Sequence, residues 1–242
     1  MKFILLDGNS FCYRAFYAIR ELSSTMGEPT NAIYGFITML EKVLKEVGPD
    51  GVAVTFDLKG PTFRHERYDQ YKIQRSPMPE DLALQMPLIK EVIEAMNIPI
   101  YEKSGFEADD VIATLSCLLS EKGHEVFVVT GDKDMLQIVS KRVKLLNPQK
   151  ENFIYDIAAV KNRFGVGPEK ITDIMALMGD ASDNIPGVPG IGEKTAVKLI
   201  AEYGSVEGVL KNLDEIKGDK LKENLKNHQK DAFLSRELAT VK

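Results

Sequence analysis

Nine carboxylates in this chain sit where they could hold metal ions against a phosphate. Asp7 ends the apolar run Phe3-Ile4-Leu5-Leu6, and Asp57 follows Val52-Ala53-Val54-Thr55-Phe56. Asp132 and Asp134 come after Val126-Phe127-Val128-Val129, Glu107, Asp109 and Asp110 open a helix-like stretch, and Asp180 and Asp183 lie in a polar turn. Apolar runs of this length, rich in β-branched residues, read as buried parallel strands. In open α/β sheets the functional crevice lies beyond the carboxyl ends of the strands, so three strands ending in Asp aim their charge into it. Such crowding is tolerable only with cations in between, and an all-oxygen donor set suits Mg²⁺ or Mn²⁺. Glu107 and Asp110, three apart, can share a helix face. Asp132 and Asp134 point the same way if the backbone there is extended, and Asp180 and Asp183 can also be brought together. Jointly these groups could hold two divalent ions about 3.5–4 Å apart, the separation used for in-line displacement at phosphorus. Taken singly, Asp109 could be a helix cap and Asp180 or Asp183 a turn residue. The joint pattern has no common structural reason.

The elements that must position these acids alternate through the first half. Residues 3–7, 52–57, 98–101, 125–130 and 144–146 read as strands, and 31–47, 80–96 and 107–121 as helices by their apolar spacing. That alternation predicts a mostly parallel sheet with helices on both faces. Residues 58–79 break it with Pro61, Pro77, Pro79, Phe63, Tyr68, Tyr71 and several cations. A connection this long is functional or carries its own helix, and here it predicts a helical excursion overhanging the sheet. From about 156 the strand signals stop, and helices are expected at 156–164, 168–178, 193–203, 205–213 and 217–240, packed directly on the first half.

The chain has 242 residues and a formal charge of −5. Setting aside the nine clustered negative charges leaves +4, and the cations concentrate in two places. Lys59, Arg64, Arg67, Lys72 and Arg75 form one group; Lys194, Lys198, Lys211, Lys217, Lys220, Lys222, Lys226 and Lys230 form the other. An acidic centre with basic flanks suits an enzyme that grips a polyanion and cuts it. Phe63-Arg64 and Tyr71-Lys72-Ile73-Gln74-Arg75 interleave rings with cations, as a single-strand binder does. Gly187-Val188-Pro189-Gly190-Ile191-Gly192, leading into Glu193-Lys194-Thr195, lets backbone approach a phosphate closely at a helix start. This is the logic of a helix–hairpin–helix, which grips duplex backbone without reading bases. Loop carbonyls facing the other way could hold K⁺. Cys12 and Cys117 read as two buried thiols, and no run is long enough for a signal peptide core or a membrane span. A cytoplasmic protein is expected.

Seven motifs carry a resemblance. They are Leu6-Asp7-Gly8-Asn9-Ser10 with Tyr13-Arg14-Ala15; Phe56-Asp57-Leu58-Lys59-Gly60; Phe63-Arg64; Tyr71-Lys72 with Arg75; and Glu107-Ala108-Asp109-Asp110. Thr130-Gly131-Asp132-Lys133-Asp134 follows, then Leu177-Met178-Gly179-Asp180 with Ser182-Asp183-Asn184-Ile185-Pro186-Gly187, which runs on to Gly190-Ile191-Gly192-Glu193-Lys194-Thr195-Ala196. In this order they resemble the 5′ nuclease domain at the N-terminus of bacterial DNA polymerase I, in the flap endonuclease superfamily, over essentially the whole chain. The resemblance implies a PIN-like core of mostly parallel twisted sheet flanked by helices at 1–155. It also implies a helical arch at about 58–79 and an all-α helix–hairpin–helix subdomain at 156–242. The implied activity is 5′→3′ exonuclease and 5′-flap endonuclease hydrolysis of DNA with two Mg²⁺ or Mn²⁺ ions, in repair and in removal of primers and flaps.

The same resemblance makes Asp7, Asp57, Glu107, Asp109, Asp110, Asp132, Asp134, Asp180 and Asp183 metal carboxylates. Asp7, Glu107 and Asp109 would lie near one ion, and Asp132, Asp180 and Asp183 near the other. Lys72 would act at the transition state. Arg14, Arg64, Tyr71, Lys72, Arg75, Gly190, Ile191, Gly192, Lys194 and Thr195 would contact DNA, with K⁺ at 187–192. Ser76 stands where the family pattern has Pro. The expected partner is DNA bearing a 5′ flap or a 5′ end beside duplex, bound by a monomer that a polymerase segment can accompany on the same polypeptide. A flap-binding module without cleavage and a PIN-type ribonuclease are the rival readings. The complete acid set argues against the first, and the glycine hairpin against the second.

Overall fold

The computed structural model describes residues 1–20 and 22–242. Six strands form one sheet: β1 (Lys2–Asp7), β2 (Gly51–Thr55), β3 (Ile100–Tyr101), β4 (Glu125–Val129), β5 (Val143–Asn147) and β6 (Phe153–Tyr155). Their order is β3-β2-β1-β4-β5-β6, parallel throughout except for the antiparallel edge strand β6. The chain builds outward from β1 to β3, then returns to place β4 on the other side of β1. That reversal opens a crevice above the carboxyl ends of β1 and β4. The register aligns those ends: Leu6 sits between Val54 and Val129, and Asp7 lies opposite Thr55.

Side chains along a strand alternate between faces, and β1 shows it. Ile4 and Leu6 pack with Phe11, Phe36, Leu40, Phe56, Leu82 and Ile89 beneath α1 (Gly8–Ala18), α2 (Asn31–Val47) and α4 (Glu80–Ala95). α3 (Phe63–Arg67) lies in the connection between β2 and α4. Leu5 faces the other way, into a cluster that includes Val126, Val128 and Leu145 and, from α5 (Ala108–Glu121), Ile112.

The same cluster runs without a break into the helical half, through α6 (Ile157–Phe164), α7 (Ile171–Met178), α8 (Glu193–Tyr203), α9 (Val206–Lys211), α10 (Asp219–Asn227) and α11 (Gln229–Ala239). The two halves therefore share a core, as expected from their direct packing. Among the described residues no helix is long and apolar enough to cross a membrane.

Several local expectations need correction. α1 has no counterpart among the sequence-based elements; Asp7 ends β1 and also caps this helix, accepting the Ser10 N–H at 2.9 Å. The single helix expected at 217–240 is two, because His228 leaves helical geometry (φ −111°, ψ 29°) and its ring meets Asp231 at 2.7 Å. The overhang at 58–79 carries one short helix, α3, of five residues, and turns follow it to Arg75. These turns dock on the helical half, with Tyr71 packed against Ile185 and Leu238, and Arg67 paired with Glu237 at 2.7 Å. Both cysteines are free, but only Cys12 is buried; Cys117 is exposed.

The acidic turn after α7 depends on a close backbone crossing. Gly179 (φ 67°) and Gly187 (φ 61°) close the loop around the Asp180–Ile185 bridge, and a Cβ on Gly187 would come within 2.4 Å of the Gly179 nitrogen. The Gly187 N–H is fixed by the Ser235 hydroxyl at 2.8 Å. A side chain here meets both a left-handed backbone and a backbone overlap. Gly187→Ala is expected to lower unfolding stability by more than about 2 kcal/mol in a urea titration.

Candidate metal centre

The switch point opens into a cleft of about 660 Å³ lined by Asp7, Asp57, Glu107, Asp109, Asp132 and Asp183. Arg14, Lys72 and Arg75 line it as well. A contiguous cleft of about 380 Å³ adds Asp180 and shares Asp132 and Asp183. Acids from three strand ends, one helix start and one turn thus meet in one place.

Backbone and hydroxyl donors aim them. Asp7 accepts the Ser10 N–H through Oδ1 and the Thr130 hydroxyl through Oδ2 at 3.0 Å; that hydroxyl in turn accepts the Asp132 N–H at 3.1 Å. Asp57 Oδ1 accepts the Ala108 N–H at 2.7 Å, so this strand-end acid sits at the positive start of α5. Asp180 accepts the Ser182 N–H at 2.7 Å and lies 3.4 Å from Lys133 Nζ. Glu107 is held from the overhang. Lys72 Nζ donates to it at 2.9 Å and reaches Asp183 at 3.5 Å, and the Tyr71 hydroxyl donates to Glu107 at 3.1 Å. Lys72 does this from a left-handed backbone (φ 55°), with its N–H on the Asp183 carbonyl at 2.9 Å. Such strain persists only where surrounding contacts fix it.

The electrostatics fit a cation. Burial pushes the Asp7 carboxyl up to about 6, helped by Asp57 and Asp132 and opposed by its hydrogen bonds. Burial, then the charges of Asp7, Asp132 and Asp57, holds Asp109 well above the usual carboxylate range. Asp132 is raised by burial, and Asp134 well raised by burial and by Asp132 and Asp180. Asp109 Oδ1 and Asp134 Oδ1 are buried without a hydrogen-bond partner, an arrangement that a positive ion would satisfy. Among the described residues no three such side chains close round a single point. An open set of this kind suits ions that keep part of their water shell, as Mg²⁺ does.

Several expected site residues lie elsewhere. Asp110 does not face the acidic cleft; it is buried in a two-pronged pair with Arg64, at 2.7 and 2.9 Å. It also accepts the N–H groups of Glu107 and Lys242, each at 3.0 Å, so it has no oxygen to spare for an ion. Arg64 is 3 % exposed, with its Nε on the Leu238 carbonyl at 2.7 Å, and cannot reach DNA. Tyr71, also 3 % exposed, offers no face to a base. Ile191 is buried and its N–H is taken by the Val188 carbonyl at 3.1 Å, which removes it as a phosphate contact. Gly190, Gly192 and Lys194 remain exposed at the start of α8, with Thr195 half-buried. The Pro189 carbonyl is occupied by the Asn224 amide at 2.8 Å. Asp132 and Asp134 are not on extended backbone: Lys133 is α-helical in conformation and Asp134 opens a 3₁₀ turn, so only Asp132 lines the cleft.

The structure also adds residues that sequence reasoning missed. Tyr13 and Tyr17 line the cleft and stack with ring centroids 6.5 Å apart. Their i, i+4 spacing beside Arg14 was the available signal, hidden because α1 was not anticipated. Arg14 Nε is itself buried without a partner. Thr130 orients Asp7 from 123 residues away.

Two stability predictions follow from this geometry. Arg64→Met leaves Asp110 buried and unpaired and is expected to cost about 3–5 kcal/mol; adding Asp110→Asn should recover part of the loss in the same denaturant titration. Asp7 ionises near pH 4 when unfolded but near 6 when folded. Between these values the unfolded state binds fewer protons, so metal-free stability falls as pH rises, with the full penalty, about 3 kcal/mol, present above pH 6. Asp7→Asn keeps a capping oxygen. In EDTA it should therefore exceed the unaltered protein in stability at pH 7–8, with the gap closing near pH 4, and Mg²⁺ should reverse the order.

Residues 2–165 match the family model for the 5′–3′ exonuclease N-terminal resolvase-like domain, and residues 166–242 that for the 5′–3′ exonuclease C-terminal SAM fold. The chain is 47% identical over 244 residues to DNA polymerase I of Bacillus caldotenax, covering 100% of this chain and 28% of that one. It is 46% identical over 241 residues to the thermostable DNA polymerase I of Thermus thermophilus, covering 100% and 29%. It thus spans under a third of the length of these curated relatives. Among solved structures, zinc-bound T5 5′-exonuclease superposes with a TM-score of 0.80 at 23% identity, covering 99% of this chain and 89% of that one. The catalytic core of Rad2 bound to a DNA substrate gives a TM-score of 0.60 at 19% identity, over 95% and 73%. These structural likenesses establish the fold, and the two sequence matches, end to end and in order, establish that the chain belongs to the 5′–3′ exonuclease family.

Proposed function

We propose that this protein is a structure-selective 5′ nuclease that hydrolyses DNA phosphodiesters at or near 5′ ends, as 5′→3′ exonuclease and 5′-flap endonuclease. The observation that carries the reading is the acidic cleft at the switch point, with Arg14, Lys72 and Arg75 among its lining residues. The unpartnered oxygen of Asp109 and its shared cleft position with Asp7, Asp57, Asp132 and Asp183 support two Mg²⁺ or Mn²⁺ ions as cofactors. Asp7, Asp57, Asp109, Asp132 and Asp183 would hold such ions, whose chemistry there would be to activate water and neutralise charge on the scissile phosphate and leaving oxygen. The zinc ions in the T5 enzyme of the same fold are consistent with a divalent centre.

The chain's own groups do the rest. Arg14, with a free buried Nε, binds a phosphate oxygen. Lys72 holds Glu107 and Asp183, and its ammonium is positioned to turn to the phosphate as charge develops. Arg75 adds a second phosphate contact from the overhang. Gly192 and Lys194 at the start of α8 grip duplex backbone; K⁺ on the remaining carbonyls of 187–192 would strengthen that grip. Since the polymerase relatives extend far beyond the matched region, a polymerase segment on the same polypeptide and a role in primer and flap removal, in the cytoplasm, are part of the proposal.

The test is single-turnover cleavage of 5′-labelled flap DNA in Mg²⁺, beside the same flap in RNA, the flap carrying a bulky 5′ protein block, and a closed bubble. The free DNA flap should be cut fastest, with the blocked flap and the bubble strongly slowed because the basic overhang admits only a free 5′ strand. Asp109→Asn should abolish cleavage and leave flap binding largely intact. Preference for RNA would favour a ribonuclease, and binding without cleavage a flap-binding module. Equal rates on all three DNA structures would remove the 5′-end selectivity.

A further inference from the structure

The contiguous cleft beside the acidic one contains a feature that metal binding leaves unexplained. It has carboxylates along one side, Asp132, Asp180 and Asp183, but its lining also includes Lys133, Lys150 and Arg163. Two of these cations converge on one neutral oxygen: Lys150 Nζ lies 2.9 Å, and Arg163 Nη1 3.2 Å, from the Tyr155 hydroxyl. Both also lie over the Tyr155 ring, at 5.6 and 5.9 Å from its centre. The phenol oxygen and the ring face each attract a cation, but two positive charges held this close repel one another, and an anion between them would relieve that repulsion. Arg163 has partial relief from Glu193 at 3.9 Å, whereas Lys150 pairs with the phenol rather than with a carboxylate. Burial would raise the Tyr155 hydroxyl's pKa, yet the two cations outweigh it and lower the value, which reports their positive field.

The arrangement is rigidly presented. Tyr155 is 4 % exposed, so its hydroxyl is a fixed anchor. Lys150 sits on the β5–β6 hairpin, where Asn147 accepts the Gln149 N–H at 2.8 Å and Glu151 and Asn152 take successive left-handed conformations (φ 51° and 59°). Two such residues in succession are the mark of a type I′ turn, which matches the twist of paired strands. Arg163 comes from α6, whose start is capped by Asp156 at 2.8 Å. Two separate elements thus bring cations to one point, next to the carboxylates, with Gln149 lining both clefts.

We propose that this second cleft is a phosphate subsite, in which Lys150, Arg163 and the Tyr155 hydroxyl hold a phosphodiester of the strand whose neighbouring phosphate lies over the acidic cleft. The proposal rests on the nuclease reading and assigns a specific contact within it. A strand leaving the carboxylates would pass from metal-neutralised charge directly to a cationic wall, which fixes its register without reading a base.

The test uses flap DNAs each carrying one neutral methylphosphonate at successive positions around the cut, bound by the Asp109→Asn protein and measured by fluorescence anisotropy. One position should cost affinity in that protein and cost nothing further once Lys150→Gln is added. Lys150→Gln and Arg163→Gln should each weaken binding about tenfold and lower the salt slope by about one. Tyr155→Phe, which removes no charge, should weaken binding with the slope unchanged. Loss spread evenly over all phosphate positions, or no loss in either Gln variant, would overturn the subsite while the unaltered protein still cuts flaps. If the unaltered protein neither binds nor cuts the flap, the nuclease reading fails and the subsite with it.

Discussion

Mutual repulsion among half-buried carboxylates governs this molecule. Asp7, Asp57, Asp109, Asp132 and Asp183 share one cleft with Glu107, and Asp134 and Asp180 stand close behind. The protein contains part of that repulsion with its own positive ends. N–H groups of Ser10, Ala108 and Ser182 and the Thr130 hydroxyl point at acid oxygens, and Lys72 bridges Glu107 and Asp183. Even so, burial and neighbouring charge keep Asp7, Asp109, Asp132 and Asp134 reluctant to ionise. The site is therefore built at a cost to stability, which a bound cation relieves.

That cost is tolerable because the scaffold is braced on both sides of the site. Beneath it, the central strands β1, β2, β4 and β5 are buried on both faces, with clusters that extend into the helices. Beside it, the Arg64–Asp110 pair ties the overhang, the start of α5 and the end of the chain together, since Arg64 also holds the Leu238 carbonyl and Asp110 the Lys242 N–H. An acid that looked like a ligand is in fact part of the brace for the acids that face the cleft. Lys72 is held in its strained backbone by its N–H on the Asp183 carbonyl and its ammonium on Glu107.

The two halves matched by the 5′–3′ exonuclease models share one continuous core. Asp180 and Asp183 come from the helical half, and the other cleft acids from the sheet half. A complete acid set therefore exists only when the loop closed by Gly179 and Gly187 is seated against the sheet. The helical half and the acidic centre are physically coupled through α7 and the turn that follows it.

The sequence by itself determined the parallel strands β1 to β5 and most of the acidic centre, but not the antiparallel edge strand β6. A buried parallel strand needs an unbroken apolar run, so the charge that ends it is visible in one dimension, and Asp7, Asp57 and Asp132 could be placed from neighbours alone. Helices with a one-sided apolar stripe, such as α2 and α5, were legible for the same reason. What failed were assignments that depend on partners far along the chain. Asp110 and Asp109 are adjacent and chemically identical, yet one meets Arg64 from 46 residues away and the other faces three like charges with only Lys72 opposing them. Tyr71 and Ile191 sit in motifs that suit nucleic acid, but their side chains complete apolar clusters. The pairing of Lys150 with Arg163 on Tyr155 left no local trace either, because a hairpin and a helix contribute one cation each. Spacing fixes which side of an element a residue occupies; only the tertiary structure decides what stands opposite, and for a charge in a low-dielectric cleft that neighbour sets its role.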